Sequence, residues 1–263
     1  MCRLLGYLGD SIQLDRLLFK PEHSLIVQSY KPSEMTAGLL NADGFGIGWY
    51  HPEHNHLPYN YRNVLPIWND ANLPQLARYI NSHCYLGYVR SATSSLSVDI
   101  INCQPFSYEN LLFVHNGFID DFRKTLYRPI RNSLDDFAYC RIEGTTDSEH
   151  IFALVVDELK KNPEISLKQA LSNTIEHLVK LAEPDKICFS ANIVLTNGKE
   201  LTACRYSNRD ASPTLYYTRD SLLYSNAVIV ASEPMFESDW ISCSEKSIIS
   251  VNENLEISVN TLS

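Results

Sequence analysis

Cys2 is the residue whose position in this chain could most directly serve chemistry, because only Met1 precedes it. Removal of Met1 would place a free α-amine and a thiol on the same residue. An α-amine has an unperturbed pKa of roughly 7.7–8.0, so much of it can accept a proton near neutral pH. Cys2 could then combine a nucleophile with its own general base. The alternative is that Cys2 is only a small apolar residue that opens a strand.

Arg90 and Thr93 form a second candidate pair, at the end of the apolar stretch 85–89. A planar guanidinium and a nearby hydroxyl suit a carboxylate, which arginine can hold with two parallel hydrogen bonds. A surface ion pair at a strand end would explain the same arginine and would contribute little to stability.

Asn116 and Gly117 follow the apolar run 111–114. An Asn-Gly pair is typical of a hairpin turn, but residues 118–124 do not alternate as a clear partner strand would. The second interpretation is an oxyanion hole. The Asn116 amide would supply one donor and the Gly117 N–H another, and glycine would allow a ligand to approach closely. Both interpretations stay open at this point.

Asp147 stands at the start of a helical pattern. Thr146 or Asp147 could cap this helix, with Glu149 as the partner in a capping box. The Asp147 carboxylate could instead bind an ammonium group of a substrate.

Apolar patterning indicates the elements that must position these residues. Short apolar runs predict strands at 2–8, 44–50, 85–90, 111–115, 192–196, 201–206, 214–218, 227–232 and 247–251. Helical spacing predicts helices over 148–161 and from about residue 166. The order of strands, then helices, then strands favours an α+β layer structure, and no linker divides the chain, so we expect a single domain over residues 1–263.

Two local patterns add detail to this scaffold. Asn197-Gly198 lies between two predicted strands and indicates a type I′ hairpin. The glycine-rich segment 41–50 lacks the Lys-Ser/Thr of a phosphate loop and the spacing of a dinucleotide fingerprint. We interpret it as a strand whose glycines permit close backbone packing beside the site.

Composition restricts the partners and the compartment. The formal net charge of −9 and the lack of a basic cluster argue against nucleic-acid or anionic-membrane partners, which leaves a small molecule or another protein. No apolar run approaches the ~20 residues of a membrane span, and no signal peptide is apparent, so we expect a cytoplasmic protein. Seven scattered cysteines predict reduced thiols. His51, His54 and His56 lie in a polar loop, and we predict no metal site there.

These motifs occur in the order known from one protein family. Cys2, the Arg-Ser-Ala-Thr segment 90–93, the His-Asn-Gly segment 115–117 and the Thr-Asp-Ser-Glu segment 146–149 resemble the class II glutamine amidotransferases, which are N-terminal nucleophile hydrolases. The resemblance extends to 21–24, 41–50, 104–106 and 230–234. It is strongest to a stand-alone subgroup that includes a γ-glutamyl hydrolase of ergothioneine biosynthesis and a subunit of a fungal glutathione-degrading complex.

The resemblance implies a fold and a set of catalytic roles. The fold would be a four-layer αββα sandwich of two stacked, mainly antiparallel sheets. Cys2 would be the nucleophile and its α-amine the base, while Asn116 and the Gly117 N–H would bind the oxyanion. One departure is Tyr88, which stands where the family often has histidine; because that histidine is not the base, we expect the change to affect the shape of the pocket.

The resemblance also implies a substrate. Arg90 and Thr93 would hold the α-carboxylate of a γ-glutamyl compound, and Asp147 its α-ammonium. The expected reaction is hydrolysis of the γ-glutamyl amide through a γ-glutamyl thioester, without a cofactor. The alternatives are a glutaminase subunit that passes ammonia to a separate synthase partner, a cysteine acylase of the same fold, and a catalytically silent binding subunit. We expect no synthase or isomerase domain, so any transfer of ammonia would need a protein partner.

Overall fold

The computed structural model describes residues 2–35, 38, 40–51, 57–92, 98–209 and 212–262. A first sheet has seven strands. In chain order they are β1 (Arg3–Gln13), β2 (Phe45–Trp49), β3 (Tyr59–Asn63), β4 (Asn81–Val89), β9 (Tyr216–Ser221), β10 (Tyr224–Ala231) and β11 (Ile241–Ser242), the numbering counting all strands of both sheets. Their spatial order is β11-β9-β10-β1-β4-β2-β3, with antiparallel pairing throughout. β1 is therefore central, between β10 and β4.

A second sheet has six strands. They are β5 (Phe106–Tyr108), β6 (Leu111–Ile119), β7 (Phe189–Thr196), β8 (Leu201–Ser207), β12 (Ser247–Val251) and β13 (Ile257–Thr261). Their order is β13-β12-β8-β7-β6-β5, again antiparallel. The apolar side chains between the two sheets form one core, which includes Leu4, Leu86, Val114 and Val194.

Helices cover the outer face of each sheet. They are α1 (Asp15–Leu18), α2 (Leu25–Tyr30), α3 (Leu73–Tyr79), α4 (Tyr127–Ser133), α5 (Asp136–Tyr139), α6 (Asp147–Lys161) and α7 (Leu167–Ala182), with 3-10 turns at Ile67–Asn69 and Ile100–Asn102. The first three pack on the seven-stranded sheet, and the others, above all α6 and α7, pack on the six-stranded sheet. This arrangement confirms the predicted αββα sandwich. No helix in the described part of the chain has the length and hydrophobicity needed to span a bilayer.

The two long helices form where the periodicity predicts them. Ser166 caps α7 by accepting a hydrogen bond from the Gln169 N–H over 3.2 Å. Ile151, Val155 and Leu171 are fully buried against the six-stranded sheet. Burial of such a side chain contributes about 1.5–3 kcal/mol, which makes the apolar stripe the main source of helix stability here.

Two sequence expectations about local structure are wrong, and one open alternative is excluded. The first half of the chain contains short helices as well as the predicted strands and loops. Each of these helices has too few residues for apolar periodicity to be recognised. The turn between β7 and β8 has four residues, since Thr196 pairs with Leu201. The Asn197 side chain accepts from the N–H groups of Lys199 and Glu200 and stabilises this longer loop. Of the two interpretations of Asn116-Gly117, the hairpin turn is excluded, because β6 continues to Ile119.

Candidate active site

Cys2 and Ser91 bring together the start of β1 and the end of β4. The Ser91 N–H donates to Cys2 Sγ over 3.3 Å, and the Cys2 thiol lies 3.5 Å from the Ser91 carbonyl oxygen. The pairing of Arg3 with Val89 makes the two strand ends adjacent. Cys2 is half-buried, so its sulfur is held by the main chain and still partly accessible. An N–H aimed at sulfur can stabilise negative charge that forms there.

Arg90, the residue before Ser91, is only 3% exposed. Its N–H donates to the Gly44 carbonyl over 2.8 Å, and its Nη1 lies 3.4 Å from the Asp43 carbonyl oxygen. The Asp43 carboxylate accepts from the Ala92 N–H over 2.7 Å. Asp43 and Gly44, at the start of the glycine-rich segment, therefore hold residues 90–92 in place through hydrogen bonds. Sequence reasoning placed this segment beside the site but did not single out Asp43.

Gly44, just before β2, and Gly46, within it, allow this close packing. A Cβ at Gly46 would lie 2.2 Å from the Gln104 carbonyl oxygen, and one at Gly44, whose φ is +116°, would lie 2.6 Å from Cys103 Sγ. No side chain fits at these distances. The interpretation of 41–50 as a tightly packed strand is thus confirmed for β2.

Tyr88 faces the same region from β4 and is 3% exposed. Burial, the proximity of Cys2 and, more weakly, the charge of Asp147 raise the pKa of Tyr88 well above its usual value, and the Arg90 guanidinium opposes them only in part. Cys2, Arg90 and Asp147 therefore all lie close enough to Tyr88 to affect the pKa of its phenol. It stays protonated at neutral pH and offers a neutral hydroxyl to the Cys2 sulfur, where a histidine could have carried charge.

Asn116 lies on β6 with 1% exposure. Neither its Nδ2 nor its Oδ1 has a hydrogen-bond partner among the residues that the structure describes. Buried side-chain amides are normally bonded, so an unpaired one calls for an explanation, and a ligand group is one. This is the property expected of an oxyanion-hole donor before substrate binds.

Gly117 occupies a position that excludes any side chain. A Cβ there would lie 2.0 Å from the Ser190 carbonyl oxygen and 2.4 Å from His115 Nε2. His115 is itself buried, with Nδ1 2.9 Å from Ser148 Oγ and Nε2 3.2 Å from the Ser190 carbonyl oxygen. Burial lowers the pKa of His115, which favours a neutral ring that donates from Nε2 and accepts from Ser148. The ring therefore ties the start of α6 to β6.

Asp147 is the first residue of α6 and is half-buried. Its Oδ2 accepts from the Ile119 N–H over 3.0 Å, and its Oδ1 accepts from the Ser148 N–H over 2.7 Å. The first of these bonds attaches the carboxylate to β6, two residues after Gly117. Each carboxylate oxygen has a further lone pair, so a substrate ammonium could still bind.

The helix cap itself is Thr146, whose Oγ1 accepts from the Glu149 N–H over 3.2 Å. The expected reciprocal capping box does not form. The Glu149 carboxylate accepts instead from the N–H groups of Glu143 and Gly144, at 2.9 and 2.7 Å. The turn before the helix folds back over the helix start, so its N–H groups bind the Glu149 carboxylate in place of the Thr146 N–H.

Other predicted positions carry less information. Thr93, His54 and His56 lie outside the described residues. Within the described ranges, no three His, Cys, Asp or Glu side chains are grouped in a way that could hold a metal ion.

A separate cavity of about 700 Å³ is lined mainly by residues of β5, α5, α6 and the segment after α5, among them Phe106, Phe137 and Phe152. Cys2, Arg90, Asn116, Gly117 and Asp147 are not among the residues that line it. Its size suits a small molecule, but the predicted site residues that the structure describes lie elsewhere, at the ends of β1 and β4, along β6 and at the start of α6.

Comparisons with known proteins agree with this fold and with these motifs. The family model of the class II glutamine amidotransferases matches residues 1–230. The probable glutamine amidotransferase DUG3 of Saccharomyces cerevisiae is 31% identical over 297 residues, which cover 96% of this chain and 82% of that protein. The γ-glutamyl-hercynylcysteine sulfoxide hydrolase of Mycobacterium tuberculosis is 31% identical over 255 residues, covering 96% of this chain and 94% of that protein.

Solved structures lead to the same assignment. A class II glutamine aminotransferase domain protein from Silicibacter pomeroyi aligns over 100% of both chains with a TM-score of 0.72 and 25% identity. The glutamine phosphoribosylpyrophosphate amidotransferase of B. subtilis, at 16% identity and a TM-score of 0.67, shares the fold over 49% of its own length. The chain belongs to the class II glutamine amidotransferase family.

Proposed function

We propose that this protein hydrolyses γ-glutamyl amide bonds, with Cys2 as the nucleophile. The observation that carries the proposal is the 3.3 Å contact between Cys2 Sγ and the Ser91 N–H. Because Ser91 follows Arg90 in the chain, this contact holds the thiol beside the residue next to Arg90. In this proposal the sulfur attacks the substrate and the Arg90 guanidinium holds it. The yeast and mycobacterial relatives, named as an amidotransferase and a γ-glutamyl hydrolase, support the same reaction.

The proposed reaction has two halves. The α-amine of Cys2 removes the thiol proton, and the sulfur attacks the γ-carbonyl carbon of the substrate. Negative charge forms on the carbonyl oxygen, where the Asn116 amide and the Gly117 N–H donate hydrogen bonds. Collapse breaks the C–N bond, the amine leaves with the proton, and a γ-glutamyl thioester remains. Water, deprotonated by the same α-amine, attacks the thioester and releases glutamate and free Cys2.

The substrate is selected by its two α-substituents. In this proposal Arg90 and Thr93 bind the α-carboxylate and Asp147 binds the α-ammonium. Arg90 is buried and positioned by Asp43 and Gly44, so the carboxylate would meet a guanidinium with little freedom to move. The leaving group would lie beyond this clamp, and ammonia, a sulfur-containing amine and a peptide all satisfy its chemistry.

A panel of γ-glutamyl compounds tests the proposal. Purified chain should release glutamate from at least one of glutamine, γ-glutamyl peptides and γ-glutamyl thio-amino acids. Intact-mass analysis after rapid acid quench should show a γ-glutamyl adduct on Cys2, and Cys2→Ala should abolish both signals. Glutamate release by Cys2→Ala would refute the mechanism. Ammonia that is consumed only when a synthase partner is added would favour the transfer alternative.

A further inference from the structure

Arg3 and Glu233 form a buried ion pair next to Cys2. Arg3 Nε donates to Glu233 Oε1 over 2.7 Å, and each side chain is 1% exposed. Nη1 of the same guanidinium donates to the carbonyl oxygen of Cys2 over 2.8 Å. The guanidinium therefore bridges Glu233 and the main chain of the residue that carries the thiol.

Ser232 holds the following residue of β1. Its hydroxyl accepts from the Leu4 N–H over 3.0 Å, and its own N–H donates to the Leu4 carbonyl over 3.1 Å. The β1–β10 ladder ends at the pair of Leu5 and Ala231. Ser232 and Glu233 thus continue the contact with β1 beyond the ladder, as far as Cys2.

Glu233 is anchored by further donors. Oε2 accepts from His23 Nε2 over 2.6 Å and from the Ser33 N–H over 2.7 Å, and Oε1 accepts from the Glu34 N–H over 3.1 Å. Burial alone would raise the pKa of Glu233, but these hydrogen bonds and the Arg3 charge outweigh it and lower that pKa to about 2. Glu233 is therefore a fixed anion at neutral pH, and it holds the guanidinium in one place.

Stability alone does not account for a buried ion pair at this position. Well-packed apolar residues can often replace such a pair without loss of stability. Arg3 Nη2 also lacks a hydrogen-bond partner among the described residues, which adds a desolvation cost. The geometric result of the pair is one fixed carbonyl group, in Cys2.

We propose that Glu233 is a positioning residue for Cys2, acting through Arg3, while Ser232 fixes the adjacent Leu4. The inference rests on the proposed role of Cys2 as the nucleophile. The contacts keep the Cys2 backbone, and with it the thiol, aligned with the Ser91 N–H. Misplacement of a reacting group by about 1 Å can lower the rate about 10²-fold, so the effect should fall on kcat and not on substrate affinity.

Glu233→Gln in the full chain tests the proposal with a γ-glutamyl anilide as substrate. We expect kcat to fall about 10²-fold while KM stays within about twofold of wild type. Alkylation of Cys2 by iodoacetamide should keep nearly its wild-type rate, because it needs the thiol but no aligned attack on a bound carbonyl. The matched control is Asp157→Asn, which removes a buried carboxylate paired with Lys161 over 2.6 Å and should leave kcat unchanged.

Arg3→Lys is the second variant. The lysine ammonium can pair with Glu233, but the lysine side chain is too short to bond the Cys2 carbonyl as well. We therefore expect kcat to fall again while the fold stays intact. Unchanged kcat in both variants overturns the proposal, as does a fall that only matches the loss of folded protein. Failure of both variants to fold would assign the pair to stability and overturn it too. Activity in Cys2→Ala would instead refute the proposed function, so the two failures are distinguishable.

Discussion

Asn116 and Asn192 lie opposite each other in the β6–β7 pair, yet their amide groups are bonded differently. Both are buried, with 1% and 0% exposure. Nδ2 of Asn192 donates to the carbonyl oxygens of Pro213 and Thr214, each over 3.0 Å. The Asn116 amide has no partner at either atom within the described ranges. An unpaired buried polar group costs about 1–3 kcal/mol, so Asn116 lowers the stability of the free protein and keeps a donor available.

Asn116→Ala should therefore separate activity from stability. We expect kcat to fall about 10²–10³-fold with little change in KM, because the charge that Asn116 meets develops only in the transition state. Asn192→Ala, which removes two native hydrogen bonds, should lower Tm more than Asn116→Ala does. Steady-state kinetics and thermal unfolding of both variants provide the test. A raised KM with normal kcat would assign Asn116 to ground-state binding.

The N-terminal amine should be as necessary as the thiol. Intact-mass analysis of active protein should show that Met1 is absent. A variant with a short peptide kept in front of Cys2 should be inactive even though its thiol still reacts with iodoacetamide. Cys2→Ser should also be inactive, because an alkoxide forms far less readily than a thiolate near neutral pH. Full activity in a form that retains Met1 would contradict the proposed base.

Asp147 should discriminate substrates by their α-amine. Wild type should hydrolyse a γ-glutamyl anilide at a kcat/KM roughly 10²-fold or more above that of the matching glutaryl anilide. The glutaryl compound has no α-ammonium, so it leaves the Asp147 carboxylate without a cation. Asp147→Asn should narrow this ratio. Thr146→Ala is the control: loss of the cap costs about 0.5–2 kcal/mol of stability and should leave the ratio intact. Equal rates for both anilides in wild type would mean that Asp147 only holds Ile119 and Ser148 and does not bind the substrate amine.

His150 should make the fold sensitive to mild acid. Burial, helped by the Arg131 charge and opposed by a hydrogen bond to the Thr146 carbonyl, lowers the pKa of His150 from 6.5 to about 4. The unfolded chain therefore takes up this proton first, and stability is lost as pH falls from about 6.5 to about 4, by about 3 kcal/mol. The free energy of unfolding should fall less steeply over this range in His150→Phe, whose ring can pack on Phe122 and Tyr127 as the imidazole does. Equal slopes would exclude His150 as the titrating group.

The spacing of apolar residues predicted those helices and strands that bury one continuous face. The helix over 147–161 and the strand over 247–251 match the expected positions within a residue, because their apolar spacing reflects one buried face. Short helices such as Leu25–Tyr30 and Asp136–Tyr139 gave no such signal, since one or two turns bury too few side chains to set a period. Asn116-Gly117 looked equally like a turn or a site, and the pairing of these residues with Asn192 and Ala191 excluded the turn.

By itself, the sequence determined the residue types and their order: a cysteine after the initiator methionine, then the Arg, Asn-Gly and Asp segments of one family. Only the tertiary structure decided how these segments meet. The contact of Cys2 with Ser91 spans 89 positions of the chain, and that of Arg3 with Glu233 spans 230. Such contacts follow from strand order and register, which depend on how two whole sheets pack, and no local spacing in the sequence encodes them.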